Sequence, residues 1–271
     1  MTDKETGLKN DILLTAEGIC KTFFRKTGGA NYFYAVAPLD LEVPSGSVTV
    51  LTGRSGSGKT TLLNMLAGLL EPTEGKVRLG GTDLYSLKDD ALSRFRNERI
   101  GVVPQARSAV DTLTVKENIL LPASLYGRKA EEKEILDRME AFGIGHLADA
   151  MPPELSGGEL RRMAIVRALV SNPDILFADE PTGDLDDENT EKVMKMLYSF
   201  AHERTSNLSA GYAVGDRANR PIRIGPVSPV PAGPPVPAGP PRAVFIVTHE
   251  SDALKYADRV FRMENGQIVK M

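Results

Sequence analysis

Residues Gly53 to Thr60 read Gly-Arg-Ser-Gly-Ser-Gly-Lys-Thr, directly after the alternation Ser47-Val48-Thr49-Val50-Leu51 and directly before Thr61-Leu62-Leu63-Asn64-Met65-Leu66-Ala67. A strand that enters such a loop and leaves it as a helix is built to hold nucleotide phosphates. Gly53, Gly56 and Gly58 let backbone amides turn inward without Cβ clashes, so Arg54, Ser55, Ser57 and their neighbours form a concave nest of donors. The helix that starts at Lys59, Thr60 and Thr61 adds the positive end of its dipole. Lys59 supplies a mobile charge for β- and γ-phosphates, and the Thr60 hydroxyl is the expected Mg²⁺ ligand. A flexible Gly/Ser turn is the alternative, and the flanking strand and helix weigh against it.

The rest of the chain extends the same alternation. Strand patterns at Ile12–Leu14, Tyr32–Val36 and Leu39–Val43 are separated by turns at Gly28-Gly29 and Pro44-Ser45-Gly46. Another strand is expected at Lys76–Gly81, then helices at Asp89–Asn97 and Val115–Tyr126 around a strand at Ile100–Val103. Helices follow at Ala130–Phe142, Gly158–Val170 and Asp187–His202, with a buried strand at Ile175–Ala178 between the last two. The end reads strand (Ala243–Val247), helix (Ser251–Ala257), and a closing strand pair at Val260-Phe261 and Gln267–Val269. Strands alternating with helices imply an α/β fold with a mainly parallel sheet covered on both faces. One domain over residues 11–271 is expected after a polar tail at 1–10.

One segment breaks the pattern. Thr205 to Arg242 holds nine of the 18 prolines and repeats Val-Pro-Ala-Gly-Pro-Pro in tandem from Val230 to Pro241. Few large apolar side chains and many missing donors preclude a packed core there, so a disordered or polyproline-like insertion is expected. Closing a loop of this length costs only about 2 kcal/mol more than closing a four-residue one. A tolerated surface insertion, a ligand for proline-recognising domains and a local sequence error remain the three readings.

Composition excludes several classes. With a net charge of −3 and no basic run, no nucleic-acid partner is expected. The single cysteine, Cys20, rules out an internal disulfide framework, fits a reducing compartment and reads as a small packed residue. No stretch reaches the roughly 18 apolar residues of a membrane span, and Met1 to Asp11 lacks an apolar secretory core. A cytoplasmic protein is the expectation.

Five elements after the phosphate loop, taken in order, resemble the ATP-binding-cassette (ABC) family of transporter ATPases. Gln105, ending Ile100-Gly101-Val102-Val103-Pro104-Gln105, is similar to the family's Q-loop glutamine, which reaches Mg²⁺ or the attacking water. Leu155-Ser156-Gly157-Gly158-Glu159 matches the family signature, with Ser156 capping a helix whose exposed amides make a second anion site. The family usually continues with two glutamines before an arginine, where this chain has Leu160 and Arg161 before Arg162. Ile175-Leu176-Phe177-Ala178-Asp179-Glu180 resembles a Walker B strand, whose two carboxylates emerge where α/β sheets bind ligands. The resemblance implies that Asp179 holds Mg²⁺ and that Glu180 polarises the water attacking the γ-phosphate. Gly183-Asp184-Leu185-Asp186 occupies the D-loop place, with Asp186 a nucleotide-side candidate. His249, in Ile246-Val247-Thr248-His249-Glu250, resembles the switch histidine at the γ-phosphate. With the 38-residue proline segment set aside, 32 of the 70 positions from Asp179 to His249 remain, close to the family's spacing. His146 and His202 read as solvated. For stacking on adenine, Phe23 in Lys21-Thr22-Phe23 fits best, with Phe24 and Tyr34 as rivals and core packing as the alternative for all three.

The resemblance further implies a P-loop, RecA-like core with an antiparallel β subdomain and a helical subdomain near 106–170. It implies ATP and Mg²⁺, and a head-to-tail homodimer sandwiching each ATP. The catalytic set would then be Glu180, His249, Gln105 and Lys59. Asp179-Glu180-Pro181-Thr182-Gly183 and Thr114–Pro122 resemble the bacterial subfamily of lipoprotein-release and macrolide- or peptide-export ATPases. A separate membrane permease docking near Ala106–Tyr126 would then hold the chain on the inner face of the membrane. The alternatives are force transmission to a membrane partner without transport, and a soluble ABC ATPase working on DNA or ribosomes.

Overall fold

The computed structural model describes residues 12–26, 30–128, 132–183, 185–202 and 242–269. The proposed N-terminal tail, the Gly28-Gly29 turn, Asp184 and positions 203–241 of the proline-rich region lie outside the described residues.

The chain begins with a long hairpin, β1 (Ile12–Lys26) against β2 (Ala30–Pro44). These two strands take up the three short ones expected from sequence. Register shifts between Ala16 and Thr22 let one strand keep pairing while it bends, which a period-two reading breaks into pieces. β3 (Ser47–Gly53) enters the phosphate loop and α1 (Lys59–Leu66) leaves it. β4 (Glu74–Leu79) pairs with β1 and, through a turn with φ of 55° at Gly80 and 84° at Gly81, with the two-residue β5 (Thr82–Asp83). The result is a four-stranded antiparallel sheet in the order β2-β1-β4-β5.

The second sheet carries the chemistry. After α2 (Asp89–Arg99) come β6 (Ile100–Val103), α3 (Val115–Leu125), α4 (Glu132–Ala141), α5 (Gly157–Leu169), β7 (Ile175–Asp179) and α6 (Asp187–His202). β8 (Ala243–Thr248), β9 (Arg259–Glu264) and β10 (Gln267–Val269) complete a six-stranded sheet ordered β10-β9-β3-β8-β7-β6. All its neighbours run parallel except β10, which turns back on β9. β7 and β8 are buried at every position because both faces of a parallel sheet are covered.

Alternation then sorts the side chains. Val244 and Ile246 of β8 join the core under α3, α5 and α6, whereas Phe245 and Val247 join the core shared by α1 and the antiparallel sheet. Phe177 and Phe245 meet in that second core at 5.9 Å and are fully buried, each worth about 1.5–3 kcal/mol. The α/β, P-loop architecture expected from sequence is thus the one observed.

One local expectation is corrected. The helix expected over Ser251–Ala257 is only a short 3₁₀ segment, Asp252–Tyr256. Asp258 pulls the chain back to the sheet after one turn, exchanging bonds with Val48 through its backbone N–H and its carboxylate. His202 is exposed, as expected, yet not without partners: its ring stacks on Tyr198 at 4.0 Å and its Nε2 lies 3.0 Å from Asp258. His146 is exposed and Cys20 is buried in β1, as expected. Arg242, the last residue assigned to the insertion, is buried over the Phe200 ring and bonded to Asn172.

Candidate active site

Parallel register brings the chemistry to one sheet edge. Val103 lies beside Ala178, Asp179 beside Val247, and Thr248 beside Thr52. Gln105, Asp179-Glu180, His249 and the phosphate loop therefore all leave the C-terminal ends of adjacent strands β6, β7, β8 and β3. This is the edge where open α/β sheets bind ligands.

The phosphate loop is shaped by close approach. A Cβ on Gly58, whose φ is 103°, would sit 2.2 Å from the Ala35 carbonyl oxygen, and one on Gly53 would sit 2.4 Å from that of Met263. Gly58 caps α1 with no side-chain bond and the first turn carries no acidic residue, so the helix start stays open to an anion. Lys59, 7 % exposed, lies along the loop and donates to the carbonyls of Gly53 (2.8 Å) and Arg54 (3.1 Å). Arg54, Ser55, Gly56 and Thr60 are exposed along the loop, and Ser57 is buried.

The Thr60 hydroxyl donates to Asp179 Oδ2 at 2.8 Å, while the other carboxylate oxygen is buried with no hydrogen-bond partner among the described residues. Burial pushes the Asp179 carboxyl above the ordinary range; the Thr60 bond opposes the rise, the Glu180 charge adds to it, and Lys59 and Arg161 counter it. A buried carboxylate with a spare hard oxygen, bonded to a hydroxyl that stays open to solvent, fits a divalent cation of the Mg²⁺ kind.

Glu180 sits on a strained backbone, with φ of 50°. Its amide donates to Val247, its Oε1 lies 2.9 Å from His249 Nδ1, and its Oε2 accepts from the Thr248 hydroxyl at 3.2 Å. The bond to Glu180, reinforced by its charge, holds the His249 imidazole above its ordinary pKa. The ring is nevertheless 67 % exposed and faces out from the edge.

The signature segment forms a separate site. Ser156 caps α5 by accepting from the Glu159 amide, and Glu159 returns bonds to the Ser156 amide and hydroxyl, a reciprocal capping box. Ser156 and Gly157 are exposed and Gly158 and Glu159 partly so. No hydrogen bond joins them to the phosphate loop among the described residues. Asp186 caps α6 through Asn189, whose side chain also takes Arg162. The aromatic candidates split by strand alternation: Phe23 shares a face with Phe33, Phe24 with Tyr32. Phe23, Phe24 and Tyr34 are 39 %, 46 % and 56 % exposed, so none is a core residue.

Two residues near the site received no role from the sequence. Arg161, at one of the family's glutamine positions, donates to the carbonyls of Pro104 (2.8 Å) and Gln105 (3.3 Å) and so ties α5 to the loop after β6. Asn118 is wholly buried and gathers the Val110, Leu113 and Thr114 carbonyls and the Val110 amide, fixing the loop before α3. Just before it, Thr114 and Glu117 form the capping box that starts α3.

The sequence profile of the ABC transporter family matches residues 36–183, more than half the chain. The chain belongs to this family. An ABC transporter ATP-binding protein of Escherichia coli K12, YbbA, is 40% identical over 242 residues, 89% of this chain and 90% of that protein. The lipoprotein-releasing system ATP-binding protein LolD of Shewanella oneidensis is 36% identical over 198 residues, covering 71% and 84% respectively. Among solved structures, the dimeric post-hydrolysis state of the ATP-binding cassette MJ0796 bound to ADP and Pi is similar with a TM-score of 0.75 and 28% identity, over 95% of this chain and 98% of that one. This ABC protein is accordingly an ATP-binding transporter ATPase. No helix among its described residues is long and apolar enough to cross a membrane.

Proposed function

We propose that two copies of this ABC ATPase clamp two ATP molecules head to tail and that hydrolysis lets them separate, driving a membrane permease. The observation that carries the reading is the separation of two anion sites within one chain. The phosphate loop lies at one edge, and the α5 N-terminus, exposed at Ser156 and Gly157, has no hydrogen bond to it among the described residues. A second copy can bring the two together across one triphosphate, as the dimeric relative's description suggests.

Within each site, Gly53–Thr61 would cradle the phosphates, and Lys59 would exchange its two carbonyl partners for phosphate oxygens. Thr60, Asp179 and Gln105 would hold Mg²⁺, which when bound neutralises charge on the β- and γ-phosphates. Glu180 would orient and polarise the attacking water, with His249 reporting on the γ-phosphate beside it. Phe23 is the assigned adenine contact. Asp186, which caps α6 by accepting from the Asn189 amide, would contact the nucleotide from that helix start.

Likeness to LolD supports lipoprotein release as the work done, and the proposal places the chain on the inner face of a membrane with no nucleic-acid partner. The permease would dock on the loop and helix from Ala106 to Tyr126, where Arg107, Asp111 and Leu125 are exposed. The test is Glu180→Gln with saturating Mg·ATP. It should bind ATP, elute as a dimer and turn over at least about a hundredfold more slowly; a monomer under those conditions overturns the reading.

A further inference from the structure

Glu180 hangs from a strand end with a left-handed φ of 50°, so its side-chain direction must be held from outside its own backbone. The holding groups come from β8 and the two residues after it. Thr248 is wholly buried. Its hydroxyl oxygen already accepts a bond from the Glu250 backbone N–H at 3.0 Å. With that lone pair engaged, the hydroxyl proton is free to turn to Glu180 Oε2, 3.2 Å away. Thr182, 1 % exposed, in turn donates to Glu250 Oε2, stitching the loop after Glu180 to the loop after Thr248. His249 on Oε1 is exposed and free to leave for a ligand, whereas Thr248 on Oε2 is not.

We infer that Thr248 is a positioning residue for the reaction: its hydroxyl, oriented by the Glu250 amide, fixes the Glu180 carboxylate so that Oε1 alone is presented to water. The inference rests on Glu180 being the group that activates water. It assigns the permanent constraint to the buried threonine and the exchangeable one to the histidine. A carboxylate pinned at one oxygen keeps a single rotamer when His249 turns away, and small misplacements of a catalytic group are costly in rate.

The experiment compares Thr248→Ser, Thr248→Ala and Thr248→Val in the full chain, reading kcat, KM for ATP and ATP affinity. Serine and alanine lose the same methyl and differ only in the hydroxyl, so their comparison stands even if the valine form fails to fold. Serine should keep kcat within about twofold, while alanine and valine lose about tenfold with KM and affinity unchanged. In a Glu180→Gln background, the residual single-turnover rate should not fall further when Thr248→Ala is added. Equal kcat for serine and alanine overturns the inference, as does an equal loss with and without Glu180. Normal turnover by Glu180→Gln alone would instead overturn the base assignment on which the inference rests.

Discussion

Thr60 and Asp179, 119 residues apart in the chain, share a 2.8 Å hydrogen bond that leaves one carboxylate oxygen of Asp179 buried and without a hydrogen-bond partner among the described residues. Burial raises the pKa of that carboxyl, so above the ordinary Asp range its ionised form costs the folded state free energy. Stability is held back for a ligand cation.

Asp179→Asn should therefore leave the melting temperature without nucleotide unchanged or higher. The same variant should lose the Mg·ATP-dependent rise, worth about 2.7 kcal/mol at a hundredfold excess over Kd. Thermal melts with and without Mg·ATP check both halves, and an unchanged Mg·ATP shift in the variant contradicts the assignment.

Arg161 spans from α5 to the carbonyls of Pro104 and Gln105. Arg161→Ala should free the loop after β6 by about 1.4 kcal/mol, a tenfold change. Tryptic cleavage after Arg107, exposed in this loop, reads this directly and should accelerate about tenfold while ATP affinity in the absence of turnover is retained. Unaltered cleavage would show that the tether contributes nothing.

The His249–Glu180 bond gives a pH dependence whose sign is fixed. A histidine held above its ordinary pKa contributes stability that is complete below the unfolded value of about 6.5 and fades as pH rises through the folded value. The stability difference between the parent chain and His249→Gln should thus be largest in mildly acidic solution and shrink toward alkaline pH. Because the ring is largely exposed, the effect should be small. Urea denaturation at several pH values measures it, and a difference that grows with pH would reverse the assignment.

Arg242 is the first described residue after His202. Replacing residues 205–241 by a Gly/Ser linker of about ten residues should preserve ATPase activity and leave stability equal or slightly higher, since a shorter loop closes at lower entropic cost. Extending the deletion through Arg242 removes its stacking on Phe200 and its bond to Asn172, and should cost about 2 kcal/mol. Paired denaturation curves distinguish the two deletions.

Much of this was written locally in the chain. The glycine spacing of the phosphate loop, the apolar runs of β7 and β8, and the Ser156 helix cap depend on residues within a turn or two of each other, so periodicity and composition expose them. The extent of the β1–β2 hairpin was hidden because bulges break the two-residue period. The short 3₁₀ turn before Asp258 was hidden because its length is set by a bond to Val48, 210 residues away. The same holds for the roles of Thr248, Arg161, Asn118 and His202, whose partners come from other strands and helices. Sequence alone determined which reactive groups exist and that they flank a phosphate nest. Tertiary structure decided which of them meet, because parallel register, not sequence distance, sets the level at which each strand end delivers its side chain.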